Sequence, residues 1–245
     1  MTLATWLSPS YPIGAFSWSH GLETLVAQNA IHDPVSLECW IADVLANGAG
    51  RTDAVLLARA YRAAADPAAL TDIAALARAL APSLERLRET AAQGAAFERV
   101  TMAAWGSDLP VAPVAPMAPA APAAPGAGDA TEASDPVLGV GPDPEGAALP
   151  YPVALGRAAG QAGIALDLVL AMALQAMAAN LISAGIRLIP IGQTDGQRVL
   201  ASLHPLCRQV AAAAAADGAA LGGCAILTDI AAMQHETLRV RLFQS

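Results

Sequence analysis

The chain has 245 residues, 13 arginines but no lysine, 21 acidic residues and a net charge of −8. This length is enough for one large domain or two small ones with a proper core. Without lysine the chain cannot form a P-loop or a Schiff base, and its acidic balance gives no basic field for nucleic acid.

The chain begins without a basic segment ahead of an apolar run, so we expect no secretion signal and a cytoplasmic protein. The most apolar stretch, Ile164 to Ile191, is predicted to be a buried helix of a soluble bundle rather than a membrane span. Polar residues interrupt it at four positions: Asp167, Gln175, Asn180 and Arg187. The three cysteines are far apart and are interpreted as reduced, buried small side chains: Cys39, Cys207 and Cys224.

The apolar periodicity predicts helices almost throughout. Asp33 with Pro34, and Asp66 with Pro67, have the pattern of a cap followed by proline at the first helical position. The further predicted helices are 52–65, 67–81, 83–105, 153–162, 165–187, one from residue 194 through 203, and 225–235. Thr194 and Gln197 have the spacing of a capping box. Because no alternating strand pattern of useful length occurs, we predict an all-α, single-domain helical bundle.

A proline-rich segment divides the chain. Eleven of the 18 prolines lie between residues 109 and 152, and they recur at every third residue from Pro110 to Pro125. This period matches polyproline II, so we predict a disordered spacer, with a PxxP ligand as the alternative. The predicted organisation is therefore two halves of one helical domain, 1–108 and 151–235, an insertion at 109–150 and a tail at 236–245.

Two catalytic motifs are nearly present. The sequence SWSHG, residues 17–21, differs from the nucleophile elbow GxSxG at one position, so a small serine hydrolase using Ser19 and His20 is an alternative function. Helix capping by Ser17 or Ser19 explains the same serines without catalysis. The sequence HETLR, residues 235–239, has arginine where a zincin has its second histidine, which excludes zinc proteolysis. We therefore predict no catalytic residue, no cofactor and no metal ligand.

The segment from Leu7 to Glu23, LSPSYPIGAFSWSHGLE, is called the signature loop below. Prolines fix its backbone, glycines allow tight turns, and the rings of Tyr11, Phe16 and Trp18 offer apolar area of the kind found at protein interfaces. Each ring has a second interpretation as a cover for the domain's own core. Composition alone leaves both interpretations open.

Three segments carry a resemblance to a known family. The signature loop resembles the amino-terminal segment of the urease accessory protein F family, NLISAGIRLIPIGQTDGQRVL is similar to its central segment, and HETLRVRLFQS is similar to its ending. The resemblance covers about residues 1–108 and 147–245, and the proline-rich insertion departs from it. It implies an all-helical protein without enzymatic activity.

The resemblance also implies a function. Members of this family form dimers and join two other urease accessory proteins, the scaffold called D or H and the GTPase called G. Together these proteins deliver nickel to apo-urease, so nickel is the transported ion and GTP is bound by the partner. We therefore expect a cytoplasmic nickel-insertion chaperone with no nucleic-acid or membrane partner, and an alanine-rich scaffold of unknown partner is the weaker interpretation.

The resemblance extends to individual residues on three candidate partner surfaces. The signature loop, with Tyr11 included for its ring, is a candidate for the GTPase or the dimer: Tyr11, Pro12, Gly14, Phe16, Ser17, Ser19, His20, Gly21 and Glu23. The central turn contributes three residues, with capping as the alternative: Gln193, Thr194 and Asp195. The tail resembles a docking arm for the scaffold: His235, Glu236, Arg239, Arg241, Leu242 and Phe243. We expect this tail to be loose in the free protein and to become ordered on docking. The family usually has arginine where Gln244 stands, so one charged contact is expected to be lost.

Overall fold

The computed structural model describes residues 1–106 and 148–244. Within them the chain is helical and contains no strand, which confirms the all-α prediction. The helices are α1 (Thr2–Trp6), α2 (Leu22–Ala27), α3 (Pro34–Ala46), α4 (Ala49–Arg62), α5 (Pro67–Ala79), α6 (Leu84–Trp105), α7 (Tyr151–Gln161), α8 (Leu166–Leu188), α9 (Gln193–Ala215) and α10 (Ile226–His235), with a short 3₁₀ helix at Ala15–Ser17. Most of the predicted insertion lies outside the described residues.

The two helix starts predicted from an Asp-Pro pair are confirmed. Asp33 accepts the Ser36 N–H at 2.8 Å, and Asp66 accepts the N–H groups of Ala68 and Ala69 at 3.0 Å each. In both cases proline occupies the first turn, where its missing N–H has no helical partner to lose. These local hydrogen bonds are the reason that the sequence located α3 and α5 accurately.

Other local predictions were wrong. The predicted capping box of Thr194 and Gln197 is replaced by a cap two residues earlier, where the Gly192 N–H donates to Asp195 at 3.4 Å. Cys207 is buried as interpreted, but the other two cysteines, Cys39 and Cys224, are exposed. The short helix α1 was not predicted, and it is anchored by the buried rings of Trp6 and its neighbour Phe97, 5.6 Å apart between centroids.

The core is built by close pairs of helices. Helix α7 packs on α4, α8 packs on α9, and α3 lies across α8 and α9. Gly156 allows the close approach of α7 to α4, because a Cβ at this position would lie 2.4 Å from the Leu57 carbonyl oxygen. The largest fully buried side chains include Trp6, Leu22, Phe97 and Leu181. One continuous core therefore joins both sides of the insertion.

Helix α8 has the length and hydropathy of a membrane span, with a mean hydropathy of 1.7 over its most apolar window. Within the fold, 44% of that window is buried. The helix contacts α9, α3, α4 and α2, as the predicted bundle helix would. Its remaining apolar surface faces outward, with Leu168 51% exposed.

Candidate functional site: two polar clusters beneath the tail

The signature loop and the tail meet in the fold. The Gln244 N–H donates to the Ser17 carbonyl oxygen at 2.8 Å, and Phe243 is only 4% exposed. Sequence reasoning expected a tail that is loose in the free protein. The structure differs, because Ser17 and Glu23 of the signature loop supply acceptors for the tail.

Glu23, in the first turn of α2, provides most of these acceptors. Its carboxylate accepts the backbone N–H of Leu242 at 2.7 Å and that of Phe243 at 3.0 Å. The same carboxylate lies 3.1 Å from Nε2 of His235. A single side chain of the signature loop therefore fixes both the tail and the end of α10.

A second carboxylate completes what we call the tail cluster: Glu23, Glu85, His235 and Arg241. Glu85, at the start of α6, lies 2.8 Å from Nδ1 of His235 and accepts a hydrogen bond from Arg241 at 2.7 Å. The His235 side chain is 0% exposed, although it is the last residue of its helix. The tail cluster therefore brings two acidic side chains, Glu23 and Glu85, into contact with the basic residues His235 and Arg241.

The loop cluster lies beside it and consists of His20, Asp53, Arg86, Glu89 and Gln93. Arg86 and Glu89 form a buried ion pair, and Nε2 of His20 lies 2.7 Å from Arg86 and 3.1 Å from Glu89. Gln93 donates to Glu89 at 2.8 Å, and Asp53 lies 3.8 Å from Arg86. His20 has a φ of 56°, a conformation that few non-glycine residues adopt.

The charges of the loop cluster are unequally compensated. Burial alone raises the pKa of Glu89, but Arg86 and His20 more than offset this and hold it at about 2. Burial raises the pKa of Asp53 to about 6, because the distant Arg86 offsets only part of the cost. Burial and then the charge of Arg86 lower the pKa of His20. Neutral imidazole is thus favoured at residue 20.

A cavity of about 80 Å³ adjoins the loop cluster. His20, Asp53 and Arg86 are among its polar lining residues, and Trp18 and Leu57 are among the apolar ones. Nδ1 of His20 is buried and has no hydrogen-bond partner among the described residues. The signature loop thus covers an interior space as well as facing outward.

The aromatic rings of the loop divide between core and surface. Tyr11 and Trp18 are buried, and the Tyr11 hydroxyl lies 2.8 Å from the Thr101 hydroxyl. Phe16 is 67% exposed. Of these three rings, only that of Phe16 is free to contact a partner in this conformation.

Arg187 connects the exposed loop with the tail. Its guanidinium donates to the Phe16 carbonyl oxygen at 2.8 Å and lies 4.3 Å from the centre of the Phe243 ring. This is a cation–π contact on one side and a backbone hydrogen bond on the other. Any movement of Phe243 therefore changes what holds Phe16 in place.

Gly21 brings α10 against the signature loop. Its φ is 81°, and a Cβ at this position would lie 2.6 Å from the Ala232 nitrogen. Gly14 has a similar φ of 74°, but a Cβ there would have nothing within 4 Å. Gly14 is thus required only for the conformation of its turn. Gly21 is required both for its turn and for the close packing against α10.

The remaining candidates are placed at the surface. Gln193 and Thr194 are exposed, and Asp195 pairs with Arg198 at 2.6 Å within its own helix. Among the described contacts, this central turn stays apart from both clusters. Glu236 accepts the Leu84 N–H at 2.9 Å, and Arg239 is exposed. Pro12 is exposed as well.

Sequence reasoning missed the residues of α6 and Arg187. Glu85, Glu89 and Gln93 recur at every fourth residue, the spacing of one helix face, and this face continues to buried Phe97. Leu84 on the other side is 47% exposed. The sequence signal for this site is a row of polar residues on the same helix face as the core residue Phe97. A search for apolar helix faces does not detect such a row.

The geometry gives no support to hydrolysis. Ser19 is 0% exposed, and its hydroxyl oxygen lies 3.5 Å from the Glu23 backbone nitrogen. A nucleophile elbow requires a strand before the serine, and residues 1–106 and 148–244 contain none. Over the same residues, no group of three or more histidine, cysteine or acidic side chains is placed to hold a metal ion.

Comparison with known proteins decides the family. The UreF family model matches residues 31–204, and a urease accessory protein UreF from Cereibacter sphaeroides is 46% identical over 246 aligned residues, which cover 100% of this chain and 98% of the relative. The chain belongs to the UreF family of urease accessory proteins. This UreF family member is therefore an accessory protein and not a catalytic enzyme.

Two further UreF relatives extend the likeness across the chain. The urease accessory protein UreF of Rhodopseudomonas palustris (strain BisB5) is 43% identical over 99% of this chain and 90% of the relative. That of Roseobacter denitrificans is 40% identical over 100% of this chain and 93% of the relative. The likeness of this UreF family member therefore includes the signature loop and the tail, which lie outside the matched residues 31–204.

Proposed function

We propose that this UreF family member is a cytoplasmic nickel-insertion chaperone that joins the scaffold protein D/H to the GTPase G and supports GTP-dependent delivery of nickel to apo-urease. Family membership supports a role in urease maturation. The assignment of the partners follows the sequence resemblance together with the surfaces described above. The chain itself lacks lysine for a P-loop, so nucleotide chemistry falls to the GTPase.

The observation that carries the proposal is the exposed apolar face of α10. This helix buries Thr228, Ala231, Ala232 and His235. Its exposed face has four large apolar side chains, with exposures of 44% to 74%: Ile226, Leu227, Ile230 and Met233. An exposed apolar face of this kind is typical of a docking site.

We assign the scaffold protein to this face and to the tail. Val240 and Leu242 are 85% and 70% exposed, and they extend the apolar area of α10 along the chain. Arg239 lies exposed among them and provides a charge that fixes the register of a partner, whereas Arg241 would first have to leave Glu85. Phe243, the last candidate residue of the tail, would first have to leave its buried position.

The signature loop is the proposed surface for the GTPase. Phe16 is its exposed ring, and Arg187 ties the backbone of Phe16 to the tail. Docking of the scaffold on the tail would therefore change the support of the GTPase surface. The central turn, with exposed Gln193 and Thr194, is a further candidate contact for a partner.

We further propose a homodimer through the outer face of α8. This helix has a mean hydropathy of 1.7, yet less than half of its most apolar window is buried within one chain. A second copy would cover the rest. Ala176, Ala179 and Ser183 line a groove of about 760 Å³ between α8 and the signature loop, and side chains of this size allow close approach of another helix.

Co-purification with tagged scaffold protein tests the docking assignment. Leu227→Asp places a charge on the exposed face of α10 and should abolish co-purification, because a desolvated carboxylate opposes docking. Val35→Asp is the matched control, since Val35 is 69% exposed on α3. If Leu227→Asp still co-purifies as well as Val35→Asp, the α10 assignment is wrong.

A truncation tests the tail separately. The cut has to leave His235 in place, because this side chain is fully buried. A cut after Leu238 keeps His235 and removes Arg241, Leu242 and Phe243. We expect this variant to stay helical by circular dichroism and to lose the scaffold protein in a pull-down.

A further inference from the structure

The loop cluster contains a buried hydrogen-bond donor without an acceptor. His20 is 7% exposed, and its Nδ1 is buried without a partner among the described residues. Its other ring nitrogen, Nε2, lies 2.7 Å from a guanidinium nitrogen of Arg86 and 3.1 Å from Glu89. Because a guanidinium only donates hydrogen bonds, the shorter contact makes Nε2 an acceptor and places the ring proton on Nδ1. A buried N–H without an acceptor is costly, so this position favours a bound molecule that supplies one.

Asp53, on α4, is a second polar group of the loop cluster that is incompletely paired. Its carboxylate lies 3.8 Å from Arg86, which forms its close ion pair with Glu89. Glu89 also accepts a hydrogen bond from Gln93 at 2.8 Å. Burial raises the pKa of Asp53 to about 6, and Arg86 offsets only part of this effect. A further hydrogen-bond donor would therefore stabilise the carboxylate of Asp53.

Both groups line the cavity of about 80 Å³ beneath the signature loop. At roughly 10 to 15 Å³ for each water-sized sphere, this volume has room for about five to eight spheres, or a molecule of about five non-hydrogen atoms. Leu170 and Leu174 of α8 are among its apolar walls. Ala15 and Ala176 line both this cavity and the outer groove of about 760 Å³, so the groove is the approach from solvent.

The two polar groups favour an uncharged ligand that has both an acceptor and a donor. A cation would offer no acceptor to His20 and would be repelled by Arg86, and an anion would be repelled by Asp53. A primary amide has a carbonyl oxygen that accepts from Nδ1 and an N–H that donates to a carboxylate. A short alkyl end on the amide matches the leucine walls.

We propose that this cavity is a binding site for a small primary amide, which accepts a hydrogen bond from Nδ1 of His20 and donates one to Asp53. The site goes beyond the proposed function and requires no partner protein. His20 belongs to the signature loop and Asp53 to α4, so the bound amide connects the loop to the helical bundle.

Titration with propionamide tests the site, with the side-chain nitrogen resonances of the ¹⁵N-labelled histidines as the readout. We expect a saturable shift of the His20 Nδ1 resonance with a Kd on the order of 1 to 10 mM, as is typical of so small a ligand. The resonances of exposed His32 should not change. Absence of a saturable shift at His20 up to about 100 mM propionamide would overturn the proposal.

Three related compounds test the class of ligand. Butanone has the shape of propionamide but lacks the N–H donor, so we expect it to bind about tenfold more weakly. Propionate and propylammonium carry a charge and should give no saturable shift. Equal binding of butanone would contradict the hydrogen bond to Asp53, and tighter binding of either ion would refute an uncharged ligand.

Two substitutions on α8 locate the bound amide. Ala173 lines the cavity, whereas Ala179 lines the outer groove and not the cavity, and both side chains are half-buried. Ala173→Leu should fill the cavity and weaken propionamide binding at least about tenfold, and Ala179→Leu should bind as the native chain does. Equal binding by the two variants would place the amide outside the cavity.

Asp53→Val provides a test that does not depend on filling the cavity. It removes the acceptor of the amide N–H, so propionamide should lose its advantage over butanone. Circular dichroism checks that the variant stays helical. A retained preference for propionamide in Asp53→Val would contradict the proposed contact.

Discussion

At the scale of single residues, the two clusters hold charge inside the domain in different ways. In the tail cluster, Glu23 accepts two backbone N–H groups, Glu85 accepts a hydrogen bond from Arg241, and both carboxylates lie within 3.1 Å of a ring nitrogen of His235. In the loop cluster, Asp53 lies 3.8 Å from Arg86 and keeps 27% side-chain exposure. Arg86 forms its close ion pair with Glu89 instead. Asp53 is therefore an acid that burial disfavours in its charged form.

This difference predicts a pH effect at Asp53. Its pKa is about 6 in the fold against an ordinary value of 3.8, so the folded chain binds the proton more tightly than the unfolded chain. The stabilising contribution is present at low pH and is lost as pH rises from about 4 to about 6. Asp53→Asn should raise the free energy of unfolding near neutral pH by about 1 to 2 kcal/mol.

Urea unfolding at several pH values checks this prediction. Asp72→Asn, at an exposed position on α5, is the control and should change the pH profile little. A loss of stability near neutral pH in Asp53→Asn would show that its charge is better compensated than its distance from Arg86 indicates.

The two glycines of the signature loop give a second prediction. Gly14→Ala meets only the cost of a positive φ, about 1 kcal/mol, because a Cβ would have nothing within 4 Å. Gly21→Ala has the same cost and also forces apart the backbone of α10, so we expect a loss of about 3 kcal/mol or more. Chemical denaturation of both variants measures the difference, and equal losses would contradict the close contact with Ala232.

At the scale of elements, α6 reverses the usual arrangement of a surface helix. Its first turns bury Glu85, Arg86 and Glu89 and leave Leu84 largely exposed, and only further along does it bury Phe97. Because these polar groups are paired with His20 of the signature loop, with α4, with α10 and with the tail, the burial is tolerated. The helix therefore joins the elements through charge at one end and apolar packing at the other.

Breaking this pairing should be costly. Glu89→Gln leaves Arg86 buried without its closest carboxylate, and we expect a loss of about 3 kcal/mol in the free energy of unfolding. Arg88→Gln, on the exposed side of the same helix, should stay within about 0.5 kcal/mol of the native chain. Thermal and urea unfolding of the pair provide the measurement, and similar losses would mean that the buried pair adds little.

At the scale of the whole molecule, the described residues include two uncovered apolar surfaces: the exposed face of α10, which continues into the tail, and part of α8. Less than half of the most apolar window of α8 is buried. On α10, the exposed apolar side chains form one contiguous face. Two such surfaces on one chain fit a protein that works through contacts with a second copy and with a different partner.

Sedimentation velocity tests the surface of α8. Leu168→Glu introduces a charge on its outer face and should shift the chain toward the monomer, because the carboxylate would be desolvated in a dimer. Leu80→Glu is the control, since Leu80 is 42% exposed at the end of α5. An unchanged sedimentation coefficient in Leu168→Glu would place the dimer contact elsewhere.

The sequence by itself determined the helices and the family resemblance. Caps such as Asp33 and Asp66 act on backbone N–H groups two or three residues away, so their effect is local and readable. The apolar periodicity of α8 similarly depends on neighbours one turn apart. The capping of α9 was misread because several polar residues there have cap-like spacings, and only the backbone path selects Asp195.

Only the tertiary structure decided which charged residues share an interior. His235 and Glu23 are 212 positions apart, and Phe243 and Glu23 are 220 apart, so no local pattern indicates that they pair. For the rings of the signature loop the sequence left two interpretations open, and the fold turns Tyr11 and Trp18 inward and leaves Phe16 outside. Burial and long-range pairing depend on how helices pack, and helix packing places side chains that sequence spacing keeps far apart.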